Sequence, residues 1–291
     1  MPRKEGSSQP RRRRRRHLVH ELARRFGEHE LSIYASAIAF RALVALIPLA
    51  LLGLGLLGAL GLQSTWRDSI APAIKPRVIH PVYNGINASA DKILSSGTTG
   101  LIVFAIALVI WDLALGISAV MGALNLVHDV EERRTGGRRI LTAVGLAVAT
   151  AVCIVGAMLL LVAAPRAGGA LDVLLGIVRW IVAPILLGLV VGLLFRFAPA
   201  EKPEARWASA GSLLVIVSWI VATLLFKLWV EHVANFKTAV GSLTGLILLT
   251  LYLFVSSAIF LIGAELDELL RKETDGRGVA LTDVFAAVVR R

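Results

Sequence analysis

Charged side chains make up only 18% of this 291-residue chain, and cysteine occurs once, at Cys153. A lone cysteine excludes a disulfide framework within the chain, a CxxC redox motif and a thiolate zinc site. HExxH, GxSxG and P-loop motifs are missing too, which argues against a zincin, a serine hydrolase or a built-in transport ATPase. The six histidines are scattered along the chain. His17 and His20 are three apart but have no carboxylate or cysteine ligand set beside them. No catalytic residue, metal or cofactor is expected, and the chain does not read as an enzyme. A cleavable signal peptide is not evident, because the first apolar segment is too long for one and reads as an anchor that stays.

What the chain has instead is apolar surface, with 56% hydrophobic residues. A soluble domain cannot hide that much, so the surplus must face lipid. A hydrocarbon core of about 30 Å needs about 20 apolar residues in a helix. Six stretches qualify, at about 33–62, 98–127, 140–164, 173–198, 208–230 and 242–266. None shows the alternation of a barrel strand. The expected fold is therefore an all-α polytopic membrane protein with six transmembrane helices.

The net charge of +11 includes six consecutive arginines, Arg11 to Arg16. Their position before the first span, with other basic residues in short gaps between spans, points to topogenic charge and anionic lipid rather than nucleic acid. With the N-terminus inside, 22 lysines and arginines fall on the cytoplasmic side and eight outside, which predicts both termini in the cytoplasm. Residues 1–16 read as a disordered basic tail. Residues 17–31, where Leu18, Leu22 and Phe26 recur every four positions, read as an amphipathic interfacial helix. The extracytoplasmic loop 63–97 holds Pro72, Pro76 and Pro81. After Pro81, Val82, Ile86 and Ile93 share a helical face with Ala90 near it. Residues 267–291 form a cytoplasmic tail.

Ionisable groups inside a span are costly, so each is a candidate site. Asp112 stands near the centre of the second span beside Trp111. Arg41 lies about eight residues into the first, within reach of Asp112 if the two helices are neighbours. They form either a structural or snorkelling set, or a polar site in a cavity. Pro48 either kinks the first span or breaks it to line a cavity. Asn125 and His128 close the second span at the level of Glu265, which either marks the membrane boundary or belongs to a site. Glycines at Gly53, Gly55, Gly58, Gly61, Gly188, Gly192, Gly241 and Gly245 suit close helix packing, with a homo-oligomer as the alternative use. Trp180, Trp207, Trp219 and Trp229 read as interfacial anchors.

Four segments carry a family resemblance: YASAIAFRALVALIPLALLG at Tyr34–Gly53, MGALNLVHDVEERRTGGRR at Met121–Arg139, FRFAPAEKPEARWASAGSLL at Phe195–Leu214, and TAVGSLTGLILLTLYLFVSSAIFLIGAEL at Thr238–Leu266. In this order and spacing the chain resembles the YihY/BrkB family of bacterial inner-membrane proteins, formerly labelled ribonuclease BN. The resemblance implies a six-helix protein of the bacterial inner membrane. The family's envelope associations, including virulence and lipid export, imply transport. Two positions depart from the family pattern: Arg41 replaces an aromatic or uncharged residue, and Asp112 a serine or other small one. The leading expectation is transport or flipping of a lipid or amphipathic envelope component through a polar cavity between helices, with Arg41 and Asp112 at the headgroup. The alternatives are a non-transporting scaffold for envelope partners and a membrane-bound ribonuclease. For the last, the sequence offers no metal-ligand cluster or acid–base pair suited to phosphodiester cleavage.

Overall fold

A computed structural model describes residues 21–22, 24–75, 80–96, 99–162, 170–200, 210–232 and 239–273. The basic tail, including Arg11 to Arg16, and residues 274–291 lie outside the described residues. Every regular element among the described residues is helical, and the long helices are α1 (Leu31–Ala59), α2 (His80–Ser96), α3 (Thr99–Val127), α4 (Gly136–Val162), α5 (Ala170–Phe197), α6 (Ala210–His232) and α7 (Ala239–Glu273). Helices are the required form, since a backbone N–H or C=O left unpaired in lipid costs several kcal/mol. Five of them, α1, α3, α4, α6 and α7, contain segments long and apolar enough to cross a membrane. The other expected span coincides with α5, a 28-residue helix with an apolar run at Ile185–Phe197.

α1 and α3 run antiparallel, as do α6 and α7. α1 packs against α3 and α7, α3 against α4, α4 against α5, and α6 against α7. The α1–α3 register can be read from three close approaches: a Cβ added at Gly122 would meet Tyr34, one at Gly116 would meet Arg41, and one at Gly55 would meet Ile102. The paired numbers sum to a nearly constant value, as two antiparallel helices require. The main core gathers Leu31, Met121, Leu124, Val191, Val215 and Leu261. Large apolar side chains such as Ile47, Phe104, Val152, Leu225 and Ile247 are exposed. In a soluble protein they would form an aggregating surface. Here they form the lipid-facing one.

Several expectations need correction. The last helix runs to Glu273, beyond the boundary expected at residue 266, because Glu268 and Leu269 are buried against the bundle. In loop 63–97 α2 buries Ala90 and Leu94, with Tyr83 and Asn87 half-buried beside them. Of the expected face Ala90 is buried, Ile93 half-buried and Ile86 exposed, and the side chain of Val82 lies outside the described residues. The helix is turned from the expected face because Trp66, buried under a π-helical turn at Trp66–Ile70, donates to Asn87 Oδ1 at 3.1 Å. Trp219 is no interfacial anchor. Its indole N–H donates to the Ser256 carbonyl at 2.8 Å, joining α6 to α7 inside the bundle. Trp229 sits near the end of α6 as expected, whereas Trp207 and the side chain of Trp180 lie outside the described residues. Gly53, Gly55 and Gly58 do admit close neighbours. Gly61 instead has φ 68° and terminates α1, the left-handed conformation that favours glycine after a helix.

Candidate functional site

The last turns of α7 build a polar site inside an apolar helix. Its buried stripe reads Leu261, Ala264, Glu265, Glu268 and Leu269. These are positions i, i+3, i+4, i+7 and i+8, one face of a helix. Two glutamates thus occupy core positions, and both side chains have no solvent exposure. Buried carboxylates persist only when paired, and partners arrive from elements distant in sequence. Residues 24–28 are helical and end in a turn at 29–30. That segment does not simply lie on the membrane face. Phe26 packs on the core, Arg25 Nη1 reaches Glu265 Oε1 at 3.5 Å, and His29 Nδ1 reaches Glu265 Oε2 at 3.2 Å. His128 Nε2, after α3, stands 3.9 Å from Glu268 Oε2. Lys272 Nζ reaches Glu268 at 3.5 Å and Asp129 at 2.7 Å.

A second set of bonds lies alongside. The buried Asn125 donates to Glu132 Oε2 at 2.9 Å and accepts the Ala200 N–H at 2.7 Å. Arg134 donates to the carbonyls of Phe197, Ala198 and Pro199. Those carbonyls lie at and just beyond the C-terminus of α5, where unpaired acceptors and the helix dipole favour a cation. The start of α1, the ends of α3, α5 and α7, and the starts of α4 and α6 therefore meet at one end of the bundle. This arginine-rich, basic end carries Arg24, Arg25, Arg133, Arg134, Arg138 and Arg139, interleaved with Glu21, Glu28, Asp129, Glu131 and Glu132. Among the described residues no three His, Cys, Asp or Glu side chains converge as a metal set.

On the surface of this end, Arg24 and Arg25 hold Glu21 down to about pKa 2, chiefly through hydrogen bonds to its carboxylate. The ammonium of Lys272 holds the Asp129 carboxyl below the ordinary range, with weaker pulls from His29 and Arg25. A depressed carboxyl pKa stabilises the fold above the unfolded value, near 3.8, and the contribution is lost as pH falls through the folded value. Asp129 has φ 54°, a conformation asparagine also accepts. Asp129→Asn is therefore expected to be less stable than the parent at pH 7, with the gap closing below about pH 4. Thermal unfolding of both proteins across pH 3–7 checks this. A gap that stays constant down to pH 3 would remove the ion pair as its cause.

The candidates within the membrane are arranged differently. α1 runs through the buried Pro48 without interruption, so it is one helix and not two halves. α1 and α3 are neighbours, as the Arg41–Asp112 reading required. Yet Arg41 is level with Gly116, and Asp112 lies one further turn, about 6 Å, along α3. Among the described residues no ion pair joins them. Both are half-buried. Trp111, 67% exposed, points out of the bundle towards lipid. The structure brings Asn125 and Glu265 to the basic end, separate from Arg41, Asp112, Trp111 and Pro48. Sequence reasoning passed over Arg25, His29, Glu132, Arg134 and Glu268. For Glu268 the signal was present in the apolar stripe of α7. For the others it was not, since their partners are up to 236 residues away.

Among the described residues three cavities lie along α1. A groove of about 420 Å³ lies between α1, α3 and α4, lined by residues including Leu52, Leu56, Ile106, Val109 and Val152. A second, about 480 Å³, lies between α1 and α7 and includes Ser36, Phe40 and Thr250. A third, of about 60 Å³, sits between α1 and α4 beneath Ile70. Their linings are almost wholly apolar, unlike the polar cavity expected from the sequence.

Comparison with known proteins places this architecture. The "Putative ribonuclease-like protein YfkH" of Bacillus subtilis is 28% identical over 265 residues, covering 88% of this chain and 95% of that protein. A "UPF0761 membrane protein" of Methylibium petroleiphilum is 26% identical over 266 residues, covering 84% of this chain and 59% of its own length. A protein of the same description from Xanthomonas campestris is 24% identical over 253 residues, covering 84% and 58%. The chain thus spans somewhat under two thirds of the UPF0761 relatives. No solved structure matches it. With apolar spanning helices and bacterial relatives described as membrane proteins, the chain is a multi-pass bacterial membrane protein. The family described as "Virulence factor BrkB" matches residues 22–283, nearly the whole chain, and this protein belongs to it.

Proposed function

We propose that the protein transports or flips a lipid or an amphipathic envelope component. One observation carries the reading: a cation lies inside a span on the stripe that leads to a lateral apolar groove. Arg41, Pro48 and Leu52 fall within about 40° of one another around α1. Arg41 faces α3 at Gly116, and Leu52 lines the groove of about 420 Å³. An anionic headgroup suits a guanidinium, and an acyl chain suits the groove. In this reading the chain performs no covalent chemistry. The exposed Arg133 and Arg138, with the six-arginine tail, contact anionic headgroups on the cytoplasmic leaflet.

Arg41→Ala is the test. Reconstituted with a fluorescent anionic phospholipid, the wild type should scramble or flip it. The variant should be slower by about tenfold or more, the loss expected for one charge-assisted contact, with membrane insertion unchanged. Equal loss of insertion and flipping would make Arg41 structural. A scaffold predicts the reverse pattern: deletion of residues 1–16 abolishes the cellular activity while Arg41→Ala spares it.

A further inference from the structure

Both histidines at the basic end turn both ring nitrogens towards acceptor oxygens. His29 Nδ1 is 3.2 Å from Glu265 Oε2, and its Nε2 is 3.9 Å from Asp129 Oδ1. His128 Nδ1 is 2.8 Å from the Leu124 carbonyl oxygen, and its Nε2 is 3.9 Å from Glu268 Oε2. A carbonyl or a carboxylate cannot donate, so the two Nδ1 hydrogen bonds each need the ring's N–H, and the two Nε2 contacts at 3.9 Å are ion-pair distances that attract only a protonated ring. Neutral imidazole has only one N–H. Each neutral ring would set a lone pair against an acceptor. Glu265 adds a second sign of the same deficit. Its side chain has no solvent exposure, and among the described residues Oε1 makes no hydrogen bond, only the 3.5 Å ion pair with Arg25. A buried carboxylate oxygen held only by a long ion pair is incompletely compensated for its lost hydration.

We propose that His29, His128, Glu265 and Glu268 form a proton-binding site at the basic end, and that loading it clasps residues 24–30 to α7 and to the turn after α3. Among the described residues the other charged groups around it are engaged with one another, Arg25 bonding Glu21 at 3.2 Å as well as facing Glu265. Arg25, from the N-terminal segment, and Lys272, from α7, are permanent cations. Asp129, after α3, is bonded to Lys272. Asp267, on α7, accepts the Gly211 N–H of α6 at 3.4 Å. With the site loaded, an imidazolium lies between Glu265 and Asp129 and ties three elements together. With it empty, a lone pair faces a carboxylate and the tie weakens. Docking is thus strongest when the site is loaded and relaxes when it empties, so it follows the proton concentration.

The test uses the full chain in lipid nanodiscs and hydrogen–deuterium exchange of amides 24–31, corrected for the intrinsic rate at each pH. Protection should fall by about tenfold between pH 5.5 and 8.5, as expected when one charge-assisted tie is lost from a locally opening segment. Amides of α2, at the far end, should not change. His29→Lys supplies a permanent cation and should keep the segment protected at both pH values. Glu265→Gln should leave it poorly protected at both. Equal wild-type protection at the two pH values overturns the proposal, and so does a tenfold fall that survives in His29→Lys. If neither variant folds, the wild-type comparison still decides.

Discussion

Gly211→Ala should cost this protein about 3 kcal/mol or more of stability, because it forces two helix backbones apart. A Cβ at Gly211 would lie 2.2 Å from the carbonyl oxygen of Gly263 and 2.7 Å from Asp267 Cβ. The approach is reciprocal, since a Cβ at Gly263 would lie 2.2 Å from Val215 Cγ2 and 3.0 Å from the Gly211 carbonyl oxygen. Backbone cannot rotate away as the end of a flexible side chain can. α6 and α7 would have to separate, opening the core around Val215, Leu261 and Ala264 and lifting the stripe that carries Glu265. In a bilayer this loss is not recovered by burial elsewhere, because lipid is as apolar as the core and helix association depends on close packing. Gly145→Ala is the control: nothing lies within 4 Å of its Cβ position in α4, and alanine favours the helix by about 1 kcal/mol. Denaturant unfolding in detergent micelles should separate the two variants widely. Equal midpoints would mean that α6 and α7 do not approach this closely.

Asn125→Leu should be the next most damaging change. Asn125 is buried and bonds in two directions, donating to Glu132 in the α3–α4 loop and accepting from the backbone of Ala200 after α5. Leucine fills comparable space but leaves the Ala200 N–H without that acceptor and Glu132 Oε2 without that donor. Each partner stranded away from water costs about 1–3 kcal/mol. The expected loss is about 2–4 kcal/mol, seen as a lower unfolding midpoint. Asn125→Asp distinguishes hydrogen bonding from packing. It keeps the acceptor for Ala200 but sets a carboxylate against Glu132. Its defect should shrink as pH is lowered and one of the two carboxyls takes up a proton. A defect independent of pH would assign the damage to packing alone.

The candidate site was only partly readable from the chain. Glu265 stood out as a carboxylate at the end of an apolar run, and Asn125 and His128 were expected at its level, which is where the fold places them. Their roles could not be read that way. His29 and Glu265 are 236 positions apart, and nothing in local periodicity links them. The Arg41–Asp112 pairing shows the converse. Both residues are conspicuous, and their helices are neighbours, yet register offsets them by a turn. The α2 face was read correctly at Ala90 but not at Ile86, which hydrophobicity alone suggested. The helix instead turns Asn87 inward to receive the Trp66 N–H.

Hydropathy by itself determined the spanning helices and their approximate ends. An apolar run of about 20 residues in lipid has only one way to satisfy its backbone, and that constraint acts within each segment. Everything that joins segments was decided in three dimensions. The close contact at Gly211 and Gly263, the offset of Arg41 from Asp112 and the meeting of Arg25, His29 and His128 with two buried glutamates all depend on helix register and rotation. Those are set by the packing of many side chains at once, and no single stretch of sequence contains them.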